Sequence, residues 1–207
     1  MLFRSCGITS VEDGLIAARG GADAIGLVLW PESRRAVDIS AAREIAHALP
    51  PLVHRVGVFV NPTRAEVERA VAAIGLDVVQ LHGDETPEFC RELPRRVVKA
   101  VRVGAGFRAE EALRYENFAG GVLLDTRADG RPGGTGRAFD WTLAREVRES
   151  ARYLVLAGGL TPDNVGRAVA AVEPDAVDVS SGVELSPGRK DPARVRAFVR
   201  AVREAER

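Results

Sequence analysis

Eight short apolar stretches, each followed by a longer segment with helical periodicity, run through this chain of 207 residues. The predicted strands span residues 2–6, 24–29, 55–60, 78–81, 97–101, 121–125, 153–157 and 176–179. They are nearly continuous in apolar residues, which is typical of parallel strands buried on both faces. Eight strand–helix units favour closure of the sheet over an open arrangement. We therefore predict one α/β domain over residues 1–207, a (β/α)8 barrel.

Cap residues indicate where the intervening helices begin. Helical patterns start near Ser10, Ser40, Thr63, Thr86, Arg108, Asp140, Thr161 and Asp191. Three of these starts, Thr86, Thr161 and Asp191, are followed by proline, which is favoured in the first turn because an N–H there has no helical partner. The chain is short for a barrel of this kind, so any functional site must be built from the loops.

Composition and charge exclude several classes of function. The chain is 46% apolar and 28% charged with a formal net charge of zero, which fits a soluble domain and leaves no basic stripe for nucleic acid. The N-terminus lacks a signal-peptide pattern, and no apolar run is long enough to cross a bilayer, so we expect a cytoplasmic protein without membrane contact. Two cysteines and three scattered histidines argue against a disulfide framework or a zinc site, and we expect no metal.

Polar residues gather where the predicted strands end. They are Cys6-Gly7, Asn61, His82-Gly83-Asp84, Asp125-Thr126, Gly158-Gly159 and Ser180-Ser181-Gly182. In a parallel barrel all strand carboxyl ends open on one face, and barrel enzymes carry their chemistry on that face. The sequence therefore predicts a functional site at the carboxyl mouth of the barrel.

Cys6 is the first candidate catalytic residue. It ends the first predicted strand, directly before Gly7. Arg4 lies two residues earlier and thus on the same strand face, and a fixed positive charge lowers the pKa of a nearby thiol. We therefore predict a catalytic thiol. The alternative is a small core residue, because free cysteine is among the most buried residue types.

Two glycine-containing loops predict a phosphate site. Gly158 and Gly159 follow the seventh strand, and Ser180, Ser181 and Gly182 follow the eighth. Bare backbone amides and hydroxyls at these two positions are typical of the phosphate site of barrel enzymes. Tight turns without a ligand are the alternative interpretation. We expect the partner to be a small phosphorylated molecule.

Asp125 is the second candidate catalytic residue. It closes an apolar strand, where partial burial favours the protonated carboxyl group and so a proton donor. A helix cap or a salt bridge is the alternative. Residues 127–137 then form a glycine-rich segment, which we predict to act as a mobile lid.

Four further polar residues are candidates for binding substrate. Either Arg34 or Arg35, after the second strand, can hold a carboxylate with its guanidinium fork, although a solvated surface pair is also consistent with the sequence. His82 either hydrogen-bonds a ligand or caps the next helix. Asp178, two residues before Ser180, either faces the pocket or makes a structural hydrogen bond.

Taken together, these motifs resemble the phosphoribosylanthranilate isomerases of tryptophan biosynthesis. The resemblance runs nearly end to end, through Cys6-Gly7-Ile8-Thr9, Gly21-Ala22-Asp23-Ala24, Ser33-Arg34-Arg35, Val56-Gly57-Val58-Phe59-Val60-Asn61, Gln80-Leu81-His82-Gly83, Leu124-Asp125, Gly133-Gly134-Thr135-Gly136, Gly158-Gly159-Leu160 and Asp178-Val179-Ser180-Ser181-Gly182-Val183-Glu184. Single phosphate loops occur in other barrel enzymes, but the cysteine-glycine start, Gln-Leu-His-Gly and the last motif are not a general barrel pattern.

The resemblance implies an Amadori rearrangement without a cofactor, from N-(5-phosphoribosyl)anthranilate to 1-(2-carboxyphenylamino)-1-deoxyribulose 5-phosphate. By the same resemblance, Asp125 is the general acid, Cys6 the general base and Arg35 the ligand of the anthranilate carboxylate. The family usually has lysine where this chain has Arg4, which keeps the charge but changes its geometry. Family members include monomers and homodimers, so either state is expected here.

Two other interpretations are open at this point. The first is another phosphosugar barrel enzyme, such as an indole-glycerol-phosphate synthase-like lyase or an isomerase of the histidine pathway. Those enzymes usually need a lysine base or an aspartate pair at strand ends, and neither is evident in place of Cys6. The second is a non-catalytic protein that binds a phosphorylated ligand, which would have no reason to keep both Cys6 and Asp125.

Overall fold

The computed structural model describes residues 1–126 and 140–206. In this part of the chain eight parallel strands are β1 (Leu2–Cys6), β2 (Ala24–Val28), β3 (His54–Phe59), β4 (Val78–Leu81), β5 (Arg96–Val103), β6 (Gly121–Thr126), β7 (Leu154–Leu156) and β8 (Ala176–Val179). Each strand pairs with the next and β8 pairs with β1, so the sheet closes on itself. The predicted single-domain (β/α)8 barrel is confirmed.

Helices alternate with the strands. They are α1 (Val11–Arg19), α2 (Ile39–Ala48), α3 (Arg64–Ala70), α4 (Pro87–Glu92), α5 (Ala109–Leu113), α6 (Trp141–Arg148), α7 (Val165–Val172) and α8 (Pro192–Ala205). Most begin where the caps predict: the Thr63 hydroxyl, for example, accepts from the N–H of Glu66 in a full capping box. Helix α7 starts later than predicted, because the side chain of Asn164 accepts from the N–H of Thr161 and forms a separate turn first.

A short antiparallel ribbon that we did not predict follows β8. A 3-10 turn (Ser181–Val183) leads into β9 (Glu184–Ser186), which pairs with β10 (Arg189–Lys190). The tip contains Gly188 at φ +83°, a backbone conformation that favours glycine. The Gly188 carbonyl accepts from the hydroxyl of Thr9 at 2.8 Å, and the N–H of Lys190 donates to Asp13 at 2.7 Å. The ribbon is thereby attached to the loop between β1 and α1 and to the first turn of α1.

Apolar side chains fill two layers. The larger cluster lies between the sheet and the helices, where the rings of Phe3 and Phe198 pack with centroids 5.2 Å apart. A smaller cluster of strand residues comprises Ala100, Leu123, Val155, Ala157 and Ala176. These alternate with the outward-facing residues and so line the barrel interior. No helix within residues 1–126 and 140–206 is both long and apolar enough to cross a membrane.

Candidate active site

The turn after β1 holds Cys6 at the carboxyl mouth of the barrel. The N–H groups of Gly7 and Ile8 both donate to the carbonyl of Gly26, each at 3.0 Å, and Gly7 has φ +74°. The thiol lies over Gly26 on β2: a Cβ at that position would come within 2.6 Å of Sγ. Cys6 is 9% exposed. A glycine on the neighbouring strand therefore provides the space that the thiol occupies.

Burial controls the ionisation of this thiol. It raises the pKa of Cys6 to about 11, and the negative charge of Asp178 adds to the effect. Arg4 and Lys190 lower the pKa, each by less than burial raises it. Arg4 therefore lowers the pKa of Cys6, as we expected. The pKa of Cys6 as a whole is nevertheless raised, so the predicted shift toward the thiolate is wrong. In the free protein Cys6 is a thiol at neutral pH.

Arg4 itself is buried and engages two side chains inside the barrel. Its Nε donates to Asp178 Oδ1 at 2.7 Å, and its Nη2 lies 2.7 Å from Asp178 Oδ2. Its Nη1 donates to Gln80 Oε1. Burial alone would lower the pKa of Arg4, but the charge of Asp178 keeps it raised. The predicted substrate residue Asp178 is therefore held in a buried ion pair, and 9% of it is exposed.

Asp125 is the last residue but one of β6 and is 8% exposed. Its two carboxyl oxygens have different surroundings. Oδ1 accepts from the N–H of Thr126 at 2.8 Å, whereas Oδ2 lies 3.4 Å from Nε2 of His82. On its other side, the His82 ring contacts Gln80, with 3.0 Å between Nδ1 and the amide Nε2. The residues predicted as acid and as substrate contact thus lie next to each other.

The two predicted phosphate loops meet. Gly158 and Gly159 have φ of +81° and +64°, and a Cβ on Gly158 would overlap Thr126 at the end of β6. A Cβ on Gly182 would overlap the carbonyl of Leu160, so the loop after β8 packs directly on the loop after β7. Ser181 and Gly182 begin the 3-10 turn, the arrangement by which barrel enzymes direct backbone amides at a phosphate.

The hydroxyl of Ser180 does not join those amides. It lies 3.4 Å from Glu184 Oε1, to which it donates, and close to Gly7 of the β1 turn. Ser180 therefore faces the β1 side of the mouth. Ser181 and Gly182, which we also predicted to bind phosphate, face the loop after β7.

Of the two candidate arginines, Arg34 is exposed and Arg35 is the one that reaches the mouth. Nε of Arg35 donates to Oε1 of Glu184 at 2.9 Å, and its Nη2 donates to Oε2 at 2.6 Å. This contact, which raises the pKa of Arg35, orients the guanidinium. In the described part of the chain Nη1 makes no hydrogen bond, so it stays available to a carboxylate.

Sequence reasoning missed the role of Lys190. This side chain, 1% exposed, donates to the carbonyl of Cys6 at 2.6 Å, to the carbonyl of Ser180 at 3.3 Å and to Glu184 at 2.9 Å. Burial lowers the pKa of Lys190, and the charge of Glu184 opposes this. Through these contacts Lys190 links the ends of β1 and β8. The signal was in the composition: the chain has only two lysines, Lys99 and Lys190, among its many arginines.

Lys99 is the other buried lysine, and it organises a second part of the mouth. Its Nζ lies 3.1 Å from Glu85 and donates to the carbonyl of Gly83 at 2.8 Å. Glu85 in turn accepts from the N–H groups of Asn61 and Gly83. This cluster ties together the loops after β3 and β4. These contacts explain why Lys99 and Glu85 are buried here without requiring a ligand.

Two sequence predictions are not addressed by these contacts. The predicted lid, residues 127–137, lies outside the described residues. For the metal, the described ranges contain no group of three His, Cys, Asp or Glu side chains arranged to hold an ion.

The fold and the mouth define a single-domain barrel enzyme with its polar groups on the carboxyl face. The family model of N-(5'-phosphoribosyl)anthranilate isomerase matches residues 3–201. An isomerase of this name from Pseudomonas aeruginosa strain LESB58 is 56% identical over 205 residues, covering 99% of this chain and 96% of the relative.

Two solved structures add to this match. One is phosphoribosyl anthranilate isomerase in complex with reduced 1-(o-carboxyphenylamino)-1-deoxyribulose 5-phosphate: TM-score 0.88, 42% identity, 99% of this chain and 100% of that one covered. The other shows monomers of the dimeric enzyme from Thermotoga maritima: TM-score 0.89, 42% identity, the same shares covered. This chain belongs to the N-(5'-phosphoribosyl)anthranilate isomerase family, an isomerase family of tryptophan biosynthesis. Both alternative interpretations are thereby set aside.

Proposed function

We propose that this protein catalyses the Amadori rearrangement of N-(5-phosphoribosyl)anthranilate to 1-(2-carboxyphenylamino)-1-deoxyribulose 5-phosphate, with Asp125 as general acid and Cys6 as general base. One observation carries the proposal. In a chain of this family, a thiol lies at the end of β1 and a carboxyl group lies near the end of β6. A related structure holds a reduced form of that product.

Asp125 begins the reaction. Because Oδ1 is held by the N–H of Thr126, the proton to be donated resides on Oδ2. It passes to the ribose ring oxygen, the bond from that oxygen to C1 breaks, and the nitrogen lone pair forms a protonated imine. The ring is opened, Asp125 is left as a carboxylate, and the positive charge lies on the substrate.

Cys6 takes the proton from C2. Its pKa of about 11 leaves little thiolate in the free protein, but the positive charge of the protonated imine favours the ionised thiol. The thiol releases its own proton to solvent, and the thiolate then takes the proton from C2. The electrons of the C2–H bond move toward the imine and form an enolamine. The enolamine gives up its hydroxyl proton and gains one at C1, which yields the ketone. The substrate's own imine accepts the electrons, so no cofactor is involved.

The remaining site residues bind the substrate. Arg35, fixed by Glu184, directs Nη1 at the anthranilate carboxylate, and Asp178 and His82 contact the sugar. Gly158, Gly159, Ser181 and Gly182 hold the phosphate through backbone amides, with Ser180 next to them. The protein works in the cytoplasm as a monomer or a homodimer; light scattering and cell fractionation test these two points.

The test is direct assay of the isomerisation, followed by the loss of substrate fluorescence. Cys6→Ser replaces a group that ionises with one that hardly does, so we expect kcat to fall by at least roughly a hundredfold with little change in KM. Cys90→Ser is the matched control: Cys90 is also buried, and its thiol donates to the carbonyl of Thr86, a hydrogen bond that serine can also make. Near-normal turnover of Cys6→Ser would rule out the assigned base.

A further inference from the structure

The orientation of one amide group in the barrel interior is set by Arg4. A guanidinium can only donate hydrogen bonds, and Nη1 of Arg4 contacts Oε1 of Gln80. The oxygen of the Gln80 amide must therefore face Arg4. Both groups are buried, with Gln80 1% exposed, so water does not compete for the contact. The nitrogen of the amide then points the other way, toward the mouth.

That nitrogen determines where the proton of His82 lies. Gln80 Nε2 is 3.0 Å from Nδ1 of His82, and an amide NH2 group can only donate. Nδ1 must therefore accept and carries no proton. A neutral imidazole has one N–H, which leaves Nε2 as the protonated nitrogen.

Nε2 is the atom that faces the proposed acid. It lies 3.4 Å from Oδ2 of Asp125, it is buried, and it has no hydrogen-bond partner in residues 1–126 and 140–206. A buried donor without a partner is costly and calls for a functional explanation. Oδ2 is also the oxygen of Asp125 that the backbone does not hold.

We propose that Gln80 is a positioning residue that fixes His82 in the Nε2–H tautomer, so that the imidazole donates to Asp125 Oδ2 once this oxygen has given up its proton. A donor at that place stabilises the carboxylate formed in the ring-opening step, because charge that develops in a site is best met by a donor already in position. The kinetic part rests on the proposed function. The tautomer itself does not.

The first test is nitrogen-15 NMR of the wild-type protein, with two-bond correlations between ring nitrogens and carbon-bound protons. The chain has three histidines, and the signals missing from His82→Asn identify His82. We expect an unprotonated Nδ1 and a protonated Nε2. An Nδ1–H tautomer for His82 overturns the proposal, whether or not the protein is an active isomerase.

The second test is Gln80→Glu. Its carboxylate still accepts from Arg4 but can only accept from His82, so Nδ1 should gain a proton in the NMR spectrum. We expect kcat to fall by up to roughly a hundredfold, because a small misplacement of a group in an active site can cost that much. KM should be nearly unchanged. Gln80→Met, which removes both polar contacts, should leave the tautomer free and lower kcat as well. If Gln80→Glu left Nδ1 unprotonated, or if Nδ1 became protonated while kcat stayed at the wild-type value, the positioning role would be wrong.

Discussion

The ionisation of Cys6 in the free protein is the property that most directly tests the physical account of the site. Burial moves the pKa of the thiol from an ordinary value of 9.0 to about 11. A shift of this size corresponds to about 3 kcal/mol, and at neutral pH it makes the thiolate about a hundredfold scarcer than in an exposed cysteine.

The assay is a titration of thiolate absorbance in Cys90→Ala. This background is needed because burial also raises the pKa of Cys90 to about 11. With Cys6 as the remaining thiol, the absorbance should rise with a midpoint near pH 11. The double variant Cys6→Ser, Cys90→Ala should show no thiolate signal and serves as the baseline for tyrosine ionisation.

Stability gives a second measurement of the same quantity. The pKa of Cys6 is higher in the folded protein than in the unfolded chain, so the folded state binds the proton more tightly. Its contribution to the free energy of unfolding is therefore fully present below pH 9 and is lost as the pH rises through 11. From well below pH 9 to well above pH 11, Cys90→Ala should lose about 3 kcal/mol more than the double variant does.

One result would refute the reasoning. A midpoint at or below pH 9 would mean that the positive charges of Arg4 and Lys190 outweigh burial in the folded protein. The thiolate would then exist before substrate binds, and the proposed help from the protonated imine would be unnecessary.

Three other variants test the roles of two carboxylates and of the phosphate loop. Asp125→Asn still accepts from the N–H of Thr126 but cannot supply a proton, so kcat should fall by roughly a hundredfold or more while urea denaturation stays normal. Asp178→Asn leaves the buried charge of Arg4 without its partner and should lower the free energy of unfolding by about 3–5 kcal/mol; the reverse pattern in the two variants would exchange their roles. Gly159→Asp places a negative charge in the loop after β7, so KM should rise and inorganic phosphate should compete less well; an unchanged KM would locate the phosphate elsewhere.

Local sequence patterns predicted the barrel because each strand and helix start depends on neighbouring residues. The predicted bounds of β1, β4 and β8 agree with the structure, and Thr63, Thr86 and Asp191 cap helices as expected. Once eight parallel strands close, their carboxyl ends share one face. The positions of Cys6 and Asp125 at that face therefore followed from the sequence.

The pKa values and the pairing of the site residues depend on contacts between residues that are far apart in the sequence. The pKa of Cys6 is the balance of burial and the charge of Asp178 on β8, which raise it, against the charges of Arg4 on β1 and Lys190 on the ribbon, which lower it. The sequence contained both cations, but desolvation depends on what packs around the thiol, and no local pattern encodes it. The pairing of Arg35 with Glu184, 149 residues later, depends likewise on the closure of the barrel, because only closure brings the loops after β2 and β8 together around β1.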